Sequence, residues 1–290
     1  MSMAITYNNL YLDIRQIFKE AGMEASTLEA RELVCYASGK TRQQFFRDSA
    51  LYVSEEVERQ VRSLVRRHLA GEPVAYLIGE WEFYGLPLDI SESVLIPRSD
   101  TEVLVEKALP QLQALGPCRI LDLCAGSGCI GLALATHVPQ ARVVLGEISE
   151  GALRVCRQNI RRSNLSGRVA AVRADALEKP ARTLGEFDCI VCNPPYIPHD
   201  DIPGLDVSVR DYEPHLALDG GTDGLDFYRS VCTRWREAMT ARGTLFFEVG
   251  IGQADRVGRL MLQNGFGDLD VAEDTAGIPR VVWGRIYHEI

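Results

Sequence analysis

The sequence predicts an α/β fold: a mostly parallel sheet covered by helices on both faces, preceded by a small all-helical domain. Three observations carry this. From Arg119 onward, short apolar runs alternate with helix-length segments, the pattern of βαβ crossovers in one parallel sheet. Before residue 80 there are no such runs, only apolar residues at helical spacing. Between these regions, WEFYGLPLDISESVLI (81–96) switches to strand chemistry around Gly85 and Ser91-Glu92-Ser93 and reads as a β-hairpin linker. The expected organisation is therefore 1–80 helical, 81–96 linker and 97–290 sheet domain.

Taken in order, Leu10, Ile14, Ile17 and Phe18, then Leu28, Leu33 and Val34, mark the buried stripes of two N-terminal helices. Ser26 with Glu29 predicts a capping box, and Gly71 predicts a stop after the charged segment 54–70. Beyond the linker, the expected strands are Arg119–Leu123, Arg142–Glu147, Val169–Arg173, Asp188–Cys192, Gly243–Val249 and Arg280–Tyr287. Helices are expected from Gly128 and over Glu150–Arg162.

A chain of 290 residues can bury a sizeable core, and its formal charge of −9 argues against a surface built to grip phosphate backbones. No run approaches the ~18 apolar residues of a membrane helix, and MSMAITYNNL lacks the features of a secretory signal. A cytoplasmic location is expected. Eight scattered cysteines fit reduced, buried thiols better than a disulfide framework, and Cys189 and Cys192, spaced CxxC, lie inside an apolar run that favours packing over metal or redox chemistry.

The chemistry-bearing residues fall where expected strands end. Cys124-Ala125-Gly126-Ser127-Gly128 follows a strand and opens a helix, so its glycines permit a sharp turn and a close backbone approach to a ligand. The next strand ends in Glu147, an acceptor for ribose hydroxyls or, more blandly, a cap for the helix beginning near Ser149. The third is followed by Asp175 and Ala176, and the fourth by Asn193-Pro194-Pro195-Tyr196. Two consecutive prolines cannot sit in a helix or central strand, so a stiff exposed turn is expected there.

Together these residues resemble the class I S-adenosylmethionine-dependent methyltransferases, and within them the release-factor glutamine methyltransferase family. The resemblance spans Gly71 to Tyr76, Glu82 to Gly85, Leu95 to Glu102, the glycine-rich turn, Asn193 to Tyr196 and Asp219 to Leu225. It implies a Rossmann-like, seven-stranded, mostly parallel sheet with S-adenosyl-L-methionine as cofactor, S-adenosyl-L-homocysteine as product and no metal. It places the cofactor site at Cys124 to Gly128, Glu147, Asp175, Ala176, Asn193 and Thr101. Thr101 would lie near the cofactor's methionine carboxylate or, alternatively, cap a helix. Cys124 stands where many members have glycine, so no positive φ is expected there. Ala176 stands where some members have a bulky aromatic beside the adenine.

The implied reaction methylates the glutamine amide of the Gly-Gly-Gln motif in class 1 peptide chain release factors, with the N-terminal helices helping to dock that protein. An amide nitrogen is a poor nucleophile, so orientation must do most of the work. The Asn193 and Pro194 carbonyl oxygens would accept the two amide hydrogens, Pro195 would remove a competing donor, and Tyr196 would face the developing cation. Neither a membrane nor a nucleic-acid substrate is expected. The alternatives are a ribosomal-protein glutamine methyltransferase, an adenine-specific nucleic-acid methyltransferase, whose pocket would take a flipped-out base, and a non-catalytic binding module. His199 and His215 receive no role, and Arg59, Arg62, Arg66 and Arg67 read as a solvated stripe or a docking face.

Overall fold

The computed structural model describes residues 4–287. They divide into two compact units, one comprising residues up to Gly79 together with Val207–Tyr212, the other Glu80–Asp206 and the chain from Glu213 onward. In the first unit, α1 (Tyr7–Glu20), α2 (Ser26–Ser38), α3 (Arg42–Arg47), α4 (Glu55–Leu69) and α5 (Val74–Ile78) enclose a core of Leu10, Ile14, Phe18, Leu33, Val34 and Val61. Ile17 and Leu28 of the expected stripes are only half-buried.

The capping box expected at Ser26 is absent. Ser26 is already inside α2 and buried, Ala25 is the cap residue, and the Glu29 carboxylate lies 3.4 Å from His68 Nε2 instead. A capping box does occur at the next helix, where Thr41 and Gln44 satisfy each other's backbone donors. Gly71, at φ +106°, ends the turn after α4 as expected.

The second unit opens with the hairpin β1 (Glu80–Phe83) and β2 (Leu86–Asp89), then α6 (Ser99–Leu115), β3 (Arg119–Leu123), α7 (Cys129–His137), β4 (Arg142–Glu147), α8 (Glu150–Arg162), β5 (Val169–Arg173) and β6 (Phe187–Cys192). The short α9 (Val207–Arg210) belongs to the first unit, and the chain resumes with α10 (Asp226–Arg234), β7 (Met239–Glu248), α11 (Ala254–Gln263), β8 (Phe266–Glu273) and β9 (Pro279–Ile286). The seven sheet strands run β5-β4-β3-β6-β7-β9-β8. β3 to β7 pair in parallel, while β9 is antiparallel to both β7 and β8.

β8 has no counterpart among the sequence expectations. Only Phe266 and Ala272 are buried along it, the alternation expected of an edge strand with one face exposed, and this leaves no continuous apolar run to detect. The central strands are buried on both faces. Leu121, Ile190, Leu245 and Phe247 join Tyr228, Val231 and Trp235 in one core, while Ile120, Val191 and Phe246, which point the other way along the same strands, are equally buried.

Strand order reverses between β4 and β6 on either side of β3, so a crevice opens at the carboxyl ends of these strands, the usual ligand position in open α/β sheets. The hairpin is anchored beside it by Asn159 of α8. This fully buried amide accepts from Asp89 N (2.7 Å) and donates to Asp89 O (3.0 Å) and Ser127 O (2.9 Å), coupling the linker to the glycine-rich turn.

Candidate active site

At the end of β3 the chain turns at once into α7. Cys124 adopts φ +63°, which overturns the expectation of an ordinary backbone there. The turn needs a left-handed step after Leu123, whatever residue supplies it, and a non-glycine residue bears a cost of roughly 1 kcal/mol for it. Its thiol packs against the core next to Cys192. Ala125 N donates to Gly146 O (3.1 Å), and Gly128 caps α7 at φ +83°. Gly126, at φ +55°, presents a backbone on which a Cβ would meet no protein atom within 4 Å, so this turn faces open space.

Glu147, at the end of β4, holds that turn. Its Oε2 accepts from Gly126 N (2.9 Å) and its Oε1 from Ser149 N (2.8 Å), while the Ser149 side chain caps α8 through Ala152 N. A carboxylate offers about four lone-pair positions, so two backbone bonds leave acceptor capacity directed at a ligand. Beneath the turn, Asp122 is fully buried. It accepts from Gly131 N (2.8 Å), and burial pushes its carboxyl up to about 7. Asp175 Oδ1 accepts from Leu177 N (2.9 Å), and Ala176 is buried in the core with its carbonyl taken by Ser230 Oγ (2.7 Å).

The Asn193-Pro194-Pro195-Tyr196 segment is rigid but not exposed. Both prolines are buried, and Asn193 and Tyr196 are half-buried. The covering segment is Asp219 to Leu225. Ile197 N donates to Leu218 O (3.0 Å), Gly220 N to Ile197 O (2.9 Å) and His199 N to Gly221 O (3.0 Å). A Cβ on Gly220 would sit 2.7 Å from the Tyr196 Cα, so only glycine allows this approach. Gln253 completes the clamp, donating from Nε2 to Tyr196 O (2.9 Å). Burial pushes the Tyr196 phenol up to about 12. His199 Nδ1 lies 2.7 Å from Asp219 Oδ2 on the surface, and this pairing holds its imidazole above the usual range.

The segment Arg98 to Glu102 anchors four regions with four side chains. Arg98 pairs with buried Glu213, whose other oxygen accepts from Ile96 N (3.1 Å). Asp100 pairs with Arg280 of β9 (3.0 Å), and Glu102 accepts from Tyr84 N (2.8 Å). Thr101 is not a helix cap, since α6 begins at Ser99 and Thr101 is its third residue, buried, with its hydroxyl accepting from Asn193 Nδ2 (3.3 Å). Glu248, the last residue of β7, shares this polar core: burial pushes its carboxyl up to about 7, while neighbouring Thr101 and Asn193 favour the ionised form.

One open cleft joins these parts. Thr101, Cys124, Ala125, Gly126, Ser127, Glu147, Asp175, Ala176, Asn193 and Pro195 line it, whereas Gly128, Pro194 and Tyr196 do not. Sequence reasoning missed Arg98, Ile148, Leu177 and Phe227 in the lining, and Gln253 and Glu248 in its support. Glu248 carried a usable signal, an acid at the carboxyl end of an expected parallel strand. Phe227 and Leu177 lie on segments that carried none.

Comparison with known proteins agrees with this geometry. Residues 9–79 match the PrmC N-terminal domain and residues 99–204 the methyltransferase small domain. The chain is 42% identical over 274 residues to a release factor glutamine methyltransferase of Geobacter sulfurreducens, covering 94% of each. It belongs to the release factor glutamine methyltransferase family. A member from Bradyrhizobium diazoefficiens is 39% identical over 271 residues, covering 92% of this chain and 90% of its own. A methyltransferase structure from Pyrococcus furiosus shares the fold at TM-score 0.53 and 15% identity, over 77% of this chain and 98% of that one.

The fold is that of a class I methyltransferase, with S-adenosylmethionine as methyl donor. The cleft fits that group. Gly126 leaves an open cradle, Glu147 offers acceptors, and the lining adds apolar Ile148, Ala176 and Leu177 beside polar Asp175.

Proposed function

We propose that the chain methylates the side-chain amide nitrogen of the glutamine in the Gly-Gly-Gln motif of class 1 peptide chain release factors. The observation that carries this reading is the continuity of one cleft from the glycine-rich turn and Glu147 to Asn193 and Pro195. The Thr101–Asn193 bond adds the orientation, because it turns Asn193 Nδ2 inward and leaves Oδ1 for the cleft.

When bound, S-adenosylmethionine supplies a methyl group made electrophilic by its sulfonium. Glu147 would take its ribose hydroxyls, Asp175 and Ala176 with Ile148 and Leu177 its adenine, and Thr101 with Cys124 to Ser127 its amino-acid end. Asn193 Oδ1 accepts a hydrogen of the substrate amide, which orients it and favours positive charge developing on nitrogen. Pro195 offers no competing N–H donor, and Tyr196, outside the cleft lining, supports the loop through its carbonyl, which Gln253 holds. The proton that nitrogen loses after alkylation passes to solvent.

Release factor is the substrate, and the helical unit contributes to its docking. Among the described residues no helix is long and apolar enough to cross a membrane, and we read the protein as cytoplasmic. The test offers labelled S-adenosylmethionine with purified release factor, ribosomal protein and nucleic acid side by side. Label should appear on the Gly-Gly-Gln glutamine alone; label on nucleic acid or ribosomal protein instead would overturn the reading.

A further inference from the structure

We infer that Glu248 is a positioning residue for the methyl transfer: its buried carboxylate, acting with Thr101, fixes which end of the Asn193 amide faces the cleft. The inference rests on the reading of Asn193 as the acceptor for the substrate amide.

Glu248 is 3% exposed at the end of β7, opposite Val281 of β9. One of its oxygens, Oε2, is buried without a hydrogen-bond partner among the described residues. A buried carboxyl with an unpartnered oxygen is costly, so a purely structural site would be better filled by an amide or an apolar side chain. What the carboxylate offers and an amide does not is polarity in one direction only. An ionised carboxylate can only accept, so it orders its neighbours as donors. Thr101 and Asn193 lie beside it and favour its ionised form, and Asn193 Nδ2 donates to Thr101 Oγ1 at 3.3 Å. With the amide nitrogen committed inward, Oδ1 is the end left for the substrate.

Protonation removes this constraint. A neutral carboxyl can donate to Asn193 Oδ1, which allows the amide to turn over and present N–H groups to a substrate that itself needs acceptors. The groups facing Glu248 are Asp100 and Thr101 from α6, Asn193 and Tyr196 from the loop after β6, Arg280 from β9, Tyr228 from α10 and Cys129 from α7. Arg280 favours the ionised form and Asp100 opposes it, but Arg280 is also held by Asp100 and Asp274 (3.0 and 2.9 Å). Burial therefore dominates, and the carboxyl sits near 7. Turnover should fall as pH drops through that value.

The experiment measures kcat for intact release factor across pH 5.5 to 9 for the wild type, Glu248→Gln, Asn193→Ala and the double variant. S-adenosylmethionine affinity and the melting temperature of the free protein are measured alongside. Glu248→Gln should lower kcat on the order of 10-fold or more at pH 8 and abolish the acid limb near 7. Cofactor affinity should hold, the melting temperature at pH 8 should not drop, and the double variant should be no slower than Asn193→Ala. If Glu248→Gln proves unfolded, Thr101→Val, which removes the hydroxyl beside both groups, carries the comparison of turnover and its acid limb alone, read at saturating S-adenosylmethionine because Thr101 also lines the cofactor site. An intact acid limb in Glu248→Gln, or a loss that multiplies with Asn193→Ala, overturns the inference while leaving the role of Asn193 standing. Near-normal turnover in Asn193→Ala overturns the reading beneath it.

Discussion

Glu147 Oε2 accepts the backbone N–H of Gly126 at 2.9 Å, so the acid that ends β4 and the glycine-rich turn after β3 form one structure. Glu147→Ala should therefore weaken S-adenosylmethionine binding in two ways, by removing the acceptor for ribose and by releasing the turn. The expected loss is about 1.5 to 3 kcal/mol, as for charge-assisted hydrogen bonds. Calorimetry measures it directly, and an unchanged affinity would place the ribose contact elsewhere.

Asn193→Ala should keep cofactor affinity and lose turnover by on the order of 10²- to 10³-fold, the typical effect of deleting one oriented polar group. The neighbouring loop is held from outside, by Gly220, Gly221 and Gln253, so the fold should survive. Single-turnover methylation of intact release factor gives the rate, and near-normal turnover would remove Asn193 from the mechanism.

The two buried carboxyls also predict how stability varies with pH. Glu248 and Asp122 are both raised to about 7 by burial, well above the ordinary carboxylate range. A carboxyl raised on folding holds its proton longer in the folded state, so its contribution is fully present below its unfolded pKa and is lost as pH rises through 7. Wild-type stability should decline between pH 5 and pH 8. Glu248→Gln should be little changed at pH 5 and gain on the order of 3 kcal/mol relative to wild type at pH 8, by the conversion of pKa shift to free energy. Denaturant melts at the two pH values test this, and a variant equally destabilised at both would show that Glu248 is ionised in the fold at no cost.

Several strands were legible because burial leaves a continuous apolar run: Arg119–Leu123 and Arg142–Glu147 stand at their expected bounds, as does the edge strand Val169–Arg173, whose apolar run persists although only Val169 is buried. β8 was not, because an edge strand with one wet face carries only Phe266 and Ala272 inward. The cleft's polar lining was legible at strand ends, where Glu147, Asp175 and Asn193 follow apolar runs. Its long-range partners were not. Glu248 beside Thr101, Glu213 beneath Arg98 and Asp100 on Arg280 are contacts between segments far apart in sequence, and no local pattern encodes them. The positive φ of Cys124 was misread for a related reason, since residue identity suggested an ordinary backbone while the turn geometry imposed a left-handed one.

The remaining prediction concerns the helical unit. A single planar amide offers few groups to recognise, so remote contacts with a folded partner must supply the binding energy that aligns it. Intact release factor should therefore exceed a short Gly-Gly-Gln peptide in kcat/KM by on the order of 10²-fold or more. Removing residues 1–79 is a poor test of where those contacts lie. Val207–Tyr212 packs within the same unit, with Tyr212 Oη donating to Ala70 O at 3.4 Å and Val207 filling the space beside Gly71, so truncation strands that segment. Surface substitutions avoid the problem. Phe46 and Tyr52 are 62% and 70% exposed in this unit, large apolar groups that a docked protein would cover. Phe46→Ser with Tyr52→Ser should raise KM for intact release factor and leave three quantities unchanged: kcat, the rate with peptide and S-adenosylmethionine affinity. Steady-state kinetics on both substrates, with circular dichroism as the folding control, decides it; an unaltered KM would take this face of the helical unit out of substrate docking.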